Sequence, residues 1–446
     1  MIMREKEMKK YRKSKGLLAI LLAVMLSLTM VPAAFANPVD PEGIDRAAIT
    51  KVLKVPVGTD VPSITFTFTI EGISINDDTT RASSVPVAGN AGQASIVFPG
   101  TTANPYQHTE NVLPDSTYYY LESAELFGNI VWPDTGRYTY LITENSTQYA
   151  LDDGEFLIES QAVYRVVVYV KEDPITKLPY IWGIGAFRIT DDGGTDLGPG
   201  GVKVDPTPGG PATGEWSYSQ MTFGNVYYKH NGDDGEDPEK DTLIISKEVS
   251  GEYGSSQTYF DFTLTINKPS LVPDTVTSYR AYILDGTTVV SNLTNNKVGA
   301  SFITTDSNNV TCIDIPLGTP FTFALKHGQS LVLTNAFVGS NYSISEAATP
   351  SYKPFVVVLS NNTLIGEVTA GIGSGLAVPA DGTAITSNPL VGELKNSAAF
   401  ENVNDGIEET GLTMENLPFI GMIALAALGL GAFILIQARK RRAEEL

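Results

Sequence analysis

The 446-residue sequence has one cysteine, Cys312. No intramolecular disulfide can form, so whatever staples this chain is not sulfur. Cys312 sits between Thr311 and Ile313 in a strand-like run and reads as a small core residue. Histidine is almost as scarce. His108, His230 and His327 share no metal-ligand spacing and adjoin no nucleophile motif, which argues against a zinc site or a His-dependent hydrolase. No Gly-rich phosphate loop follows a strand and opens a helix. The expectation is therefore no cofactor, no metal and no turnover enzyme. Positive charge is missing from the body of the chain. The formal charge is -20, and seven basic and two acidic residues precede Gly16, while four basic and two acidic residues follow Gln437. The rest carries 19 basic and 46 acidic residues, a charge of -27, which would repel nucleic acid and anionic membrane.

Long apolar runs occur only at the two ends. Residues 1–15 are basic, 17–30 almost wholly apolar, and Ala34-Phe35-Ala36 supplies a small-x-small site, so 1–36 reads as a secretory signal peptide with the mature chain starting near Asn37. The uncharged stretch 419–437 is just long enough to span a bilayer as a transmembrane helix. The basic tail 438–446, with Arg439, Lys440, Arg441 and Arg442, should stay inside. The body is then exported and extracellular, held to the membrane or the cell wall. Between the ends no amphipathic helix of convincing length occurs. Short runs such as 64–70, 117–121, 162–170, 181–189, 258–266, 278–284 and 321–325 are rich in Val, Ile, Thr, Tyr and Phe, and Gly, Pro, Asn and Asp separate them. The fold class is all-β, with tandem immunoglobulin-like β-sandwich domains at 37–228 and 242–405. An acidic linker at 229–241 joins them and a stalk at 406–418 follows. Asp233, Asp234, Glu236 and Asp237 of the linker have no ordered calcium-loop spacing. Residues 191–214, full of Gly and Pro, read as one long loop.

What the body does contain is one polar constellation, twice, in the same order. Successive side chains on a strand face opposite ways, so counting by two sorts them. Ile49, Lys51, Leu53 and Val55 share one face, which makes Lys51 rather than Lys54 the inward lysine, and Leu243, Ile245, Lys247 and Val249 repeat the pattern. Tyr138, Tyr140, Ile142 and Glu144 share a face, as do Tyr342, Ile344 and Glu346. Phe223, Asn225 and Tyr227, then Ala398, Phe400 and Asn402, complete the sets. Lys and Glu are rarely buried unless paired. A buried amine, carboxyl and carboxamide are the ingredients of a self-made covalent bond. Burial lowers the amine's pKa and raises the carboxyl's, and the protonated carboxyl can hydrogen-bond to the carboxamide carbonyl while the amine attacks.

The stretch 47–70, AAITKVLKVPVGTDVPSITFTFTI, with GRYTYLITE ending at Glu144 and MTFGNVYY around Asn225, resembles the streptococcal pilin isopeptide-linkage domain of Gram-positive surface proteins. The second half, with LIISKEVSGEYGSSQTYFDFTLTI, SNYSISE and AAFEN, is similar to the related immunoglobulin-like modules, including the Cna B-type group. The resemblance implies a Lys–Asn isopeptide bond between first and last strands, assisted by an acid on a middle strand. By motif position these are Lys51, Asn225 and Glu144, then Lys247, Asn402 and Glu346. The C-terminus resembles a cell-wall sorting signal but departs from the Leu-Pro-x-Thr-Gly pattern that sortases cleave. Leu417-Pro418 leads into Ile420 where threonine is expected, and Thr410-Gly411 keeps the scissile pair without the proline. Expected partners are a sortase, other pilin subunits or a host or matrix ligand, and the membrane through the C-terminal helix, with no nucleic acid. The function that follows is a structural surface protein, a pilin subunit or anchored stalk. The alternative is an adhesin that binds through an exposed loop such as 77–92 or 191–214. Lys203 is the candidate acceptor lysine for polymerisation.

Overall fold

The computed structural model describes residues 43–100, 112–147, 149–209, 218–231 and 243–406. Signal, sorting and transmembrane segments, including Thr410, Gly411, Leu417 and Pro418, lie outside the described residues, as do His108 and the acidic run 232–241. Among the described residues no helix is long and apolar enough to cross a membrane.

The first domain comprises β1 (Thr50–Pro56), β2 (Ile64–Ile75), β3 (Gln93–Phe98), β4 (Ser116–Glu122), β5 (Gly136–Glu144), β6 (Glu155–Ile158), β7 (Val163–Glu172), β8 (Pro179–Thr190), β9 (Val202–Val204) and β10 (Thr222–Lys229). They form two sheets, ordered β4-β1-β10-β6 and β3-β2-β5-β7-β8-β9. Alternation drives the pairing of layers. Alternate residues along most of β2, β5 and β7 are apolar, and Phe66, Phe68, Tyr140, Ile142, Tyr164 and Val166 meet Leu53, Val55, Phe223 and Tyr227 in one core. The first and last strands, β1 and β10, are neighbours and run parallel.

The second domain comprises β11 (Leu243–Ser250), β12 (Phe260–Asn267), β13 (Ser278–Asp285), β14 (Thr288–Val289), β15 (Ile303–Thr305), β16 (Thr311–Pro316), β17 (Phe321–Leu325), β18 (Gln329–Leu333), β19 (Asn341–Glu346), β20 (Lys353–Ser360), β21 (Thr363–Thr369), β22 (Leu376–Val378) and β23 (Ser397–Val403). Its larger sheet is ordered β15-β16-β13-β18-β11-β23-β20-β21, with β14 on β13, and its smaller one β17-β12-β19-β22. Again the first and last strands, β11 and β23, lie side by side and parallel. Cys312 is buried, as a core residue should be.

Two segments differ from the sequence reading. The 191–214 region is not loop throughout, because Val202, Lys203 and Val204 form β9 against Ala186, Phe187 and Arg188. Nor does the linker begin at 229. Lys229 ends β10, its carbonyl accepts from Val338 N–H at 3.0 Å, and Asn231 N–H donates to the Ala336 carbonyl at 3.0 Å. Lys229 Nζ also pairs with Glu393 at 2.8 Å, and His230 packs on Phe337. The backbone has run onto the second domain before the acidic run starts. Gly339 also lets the end of β1 come close to the second domain, because its φ is +86° and a Cβ there would meet Pro56 at 2.9 Å.

Candidate functional site

In each domain the lysine and asparagine come from the parallel terminal pair and the glutamate from the facing sheet. The registers agree. Lys51 lies opposite Phe223 and Asn225 opposite Leu53, while Lys247 lies opposite Phe400 and Asn402 opposite Val249. Each asparagine is therefore a diagonal neighbour of its lysine on the inner face, within reach of that long side chain. The glutamates match too, since Glu144 pairs across to Phe68 and Glu346 to Phe262.

Both trios are buried. The side chains of Lys51 and Lys247 are 0% exposed and those of Glu144 and Glu346 1%. In the first domain Lys51 Nζ contacts both Glu144 oxygens at 2.7 Å, and Asn225 Nδ2 donates to Glu144 Oε1 at 2.8 Å. In the second, Lys247 Nζ donates to Glu346 Oε2 at 3.0 Å, and Asn402 Nδ2 donates to Glu346 Oε1. All six residues expected from sequence are thus brought together as two sets of three. Burial lowers the Lys51 and Lys247 amines from 10.5 to about 8, against the opposing pull of their glutamates. The same burial pushes Glu144 and Glu346 up, against the pull of their lysines. An amine and a carboxyl whose affinities converge can exchange a proton at little cost.

One expectation is corrected here. The carboxyl was expected to hydrogen-bond to the asparagine carbonyl, but each glutamate meets the carboxamide nitrogen instead. In the first domain the reason is visible. Asn225 Oδ1 accepts from Ser160 N–H at 2.6 Å, and an N–H can only donate, so the oxygen must face Ser160 and the nitrogen must face Glu144.

Sequence reasoning also missed the aromatic floor. Lys51 Nζ stands 4.4 Å from the Phe66 ring centroid and Lys247 Nζ 4.3 Å from that of Phe260. These rings hold water away from the amine while offering it a partly negative face. The signal was present as a Phe-x-Phe on the second strand of each domain, Phe66 with Phe68 and Phe260 with Phe262. The other candidates lie elsewhere. Lys203 is exposed on β9, and His327 is a surface residue on Glu248 at 3.0 Å. Among the described residues no group of three or more His, Cys, Asp or Glu could hold a metal.

Residues 47–228 match the family model described as the Spy0128-like isopeptide containing domain. The first domain is thus similar to the Spy0128-like isopeptide containing domain. The matched residues enclose Lys51, Glu144 and Asn225, from just before β1 to Tyr228 in β10. Residues 241–378 match a domain of unknown function, DUF7601, rather than a Cna B-type model, and that match stops before β23 and Asn402. A search of curated proteins finds no match. Similar solved structures include a major pilin from Streptococcus pyogenes, at 17% identity over 81% of this chain and 99% of that one, with a TM-score of 0.29. The T3.2 major pilin from Streptococcus pyogenes serotype GAS13637 is 20% identical over 81% and 99%, with a TM-score of 0.28. A pilus-presented adhesin, Spy0125 (Cpa), is 12% identical over 81% and 100%, with a TM-score of 0.21.

Proposed function

We propose that this chain is an exported structural surface protein, a pilin subunit or anchored stalk, whose two immunoglobulin-like domains each close a Lys–Asn isopeptide bond on themselves. One observation carries the reading: the same amine, carboxyl and carboxamide are buried twice, at the same strand register, on the parallel first and last strands of both domains.

The chemistry is a single turnover. Neutral Lys51 Nζ attacks Cγ of Asn225, and the carbonyl π pair moves onto Oδ1. Glu144 accepts a proton from Nζ and delivers one to Nδ2. The oxyanion collapses, the Cγ–Nδ2 bond breaks and ammonia leaves, so the products are an amide, ammonia and a restored glutamate. Lys247, Asn402 and Glu346 do the same. The folded sandwich supplies the acceleration by holding the groups together, so folding precedes linking. Linking also removes a buried charge pair, whose desolvation is costly whatever its Coulombic gain.

The direction of the strands suits a stalk. In a parallel terminal pair the chain enters at one end of the domain and leaves at the other. A bond from β1 to β10 then carries tension past everything between them. The remaining parts of the reading come from sequence: export by 1–36, anchorage by 419–437, and sortase processing at Thr410-Gly411 or near Leu417-Pro418. Peptide mapping of the mature chain should recover branched peptides joining Lys51 to Asn225 and Lys247 to Asn402. Cells should show covalent high-mass ladders if the chain is a polymerising pilin, whereas intact links without ladders would favour the single stalk or the adhesin. Recovering only linear peptides would end the isopeptide reading.

A further inference from the structure

We infer that the backbone N–H of Ser160 is the oxyanion donor of the first site, and that Asp192 is the positioning residue that aims it. This rests on the reading that Lys51 and Asn225 react, and assigns a group that reading did not use.

The reaction places negative charge on Asn225 Oδ1 in the tetrahedral intermediate. Ser160 N–H already donates to that oxygen at 2.6 Å in a buried setting, where a fixed donor is worth most. The same contact turns the leaving nitrogen toward Glu144, so one N–H fixes both the charge acceptor and the leaving-group path. Ser160 lies in the short connection between β6 and β7, which needs an external hold. Asp192 provides it. Its Oδ1 accepts from Ser160 Oγ at 2.5 Å and from Gly224 N–H at 2.9 Å, tying the connection to the residue that precedes Asn225. Gln161 N–H donates to the Asp192 carbonyl at 3.0 Å, and Ala162 N–H to Ser160 Oγ at 3.1 Å. Arg188 pairs with Asp192 Oδ2 at 3.0 Å, which offsets a negative charge that would otherwise oppose the oxyanion. The second domain has no equivalent, and Asn402 Oδ1 is buried without a hydrogen bond among the described residues.

The test is a cell-free pulse-chase of the full chain, in which the Lys51–Asn225 branched peptide is quantified against time and the folded fraction by protease resistance. Ser160→Pro, which deletes the N–H, should slow linking of the folded chain about 100-fold. Ser160→Ala, which keeps it, should link far faster than the proline variant. Asp192→Ala should slow linking about tenfold, a share of the loss from deleting the donor outright. Asp192→Asn, which keeps the Oδ1 acceptor, should recover most of the rate. The sign is diagnostic. The Asp192 charge helps hold the Lys51 amine protonated, so loss of that influence alone would speed attack rather than slow it. Stability measured in a Lys51→Met background separates positioning from general damage: the account expects the rate to fall at an unchanged folded fraction. Native-rate linking by folded Asp192→Ala would overturn the positioning role, and native-rate linking by folded Ser160→Pro would overturn the donor. If the proline variant does not fold, the alanine and asparagine pair at 192 decides. A native chain that never links would instead remove the isopeptide reading itself.

Discussion

The two trios share residues, register and burial, and they differ in what surrounds the asparagine. In the first domain a single glutamate oxygen, Glu144 Oε1, touches both the nucleophile and the leaving nitrogen, at 2.7 and 2.8 Å, and Ser160 N–H holds the carboxamide oxygen. In the second, lysine and asparagine contact different oxygens of Glu346, and Asn402 Oδ1 accepts no hydrogen bond among the described residues. The shared parts assemble the reactants. The unshared part fixes which way the carboxamide faces, and nothing described in the second domain enforces that choice.

The most severe way to break the pair is to remove the acid. Glu144→Gln and Glu346→Gln should each leave a folded domain that does not link, a loss of up to about 10⁴-fold in rate for general acid–base work, read as an absent branched peptide. Next comes the link itself. Asn225→Ala and Asn402→Ala should each lower the stability of their own domain by about 5 kcal/mol on the chain-entropy account, measured by denaturant unfolding. Equal losses would show that the links matter alike once formed, however differently they form. A sharper comparison is kinetic. In one pulse-chase, Lys247–Asn402 should appear later than Lys51–Asn225 by about 100-fold, the value of one oxyanion donor. Simultaneous appearance would remove the importance given to Ser160.

The smallest effect is on pH. In Asn225→Ala the amine stays unlinked with a folded pKa of about 8 against an ordinary 10.5. Between those values the unfolded chain binds the additional proton, so stability should rise as pH increases from about 8 toward 10. The rise should be at most a few kcal/mol. A Lys51→Met, Asn225→Ala double variant should lack that increment, and finding it there would assign the effect to another group.

Counting by two was enough to find Lys51, Glu144, Asn225, Lys247, Glu346 and Asn402, because strand alternation writes burial directly into sequence. It separated Lys51, fully buried, from Lys54, which is only partly so. The facing-sheet relation was out of reach. Phe66 and Phe260 were visible as apolar letters, but that they lie under an amine depends on how two sheets stack. Ser160 left no trace at all, since what it contributes is a main-chain N–H that any residue except proline would supply. Its hold by Asp192 joins residues across a hairpin whose register only the fold sets. Lys229 reads as linker because acidic residues follow it, whereas its pairing with Glu155 of β6 keeps it in β10 and the second domain's Val338 N–H caps its carbonyl.

The central claim reduces to the loss of ammonia. The intact mass of the purified 37–405 chain, set beside the mass calculated from its sequence, counts the bonds directly, and Lys51→Ala and Lys247→Ala assign them. The expected result is a deficit of two ammonias in the native chain and one in each variant. A folded native chain at its full calculated mass would contradict it and make both trios ordinary buried polar clusters.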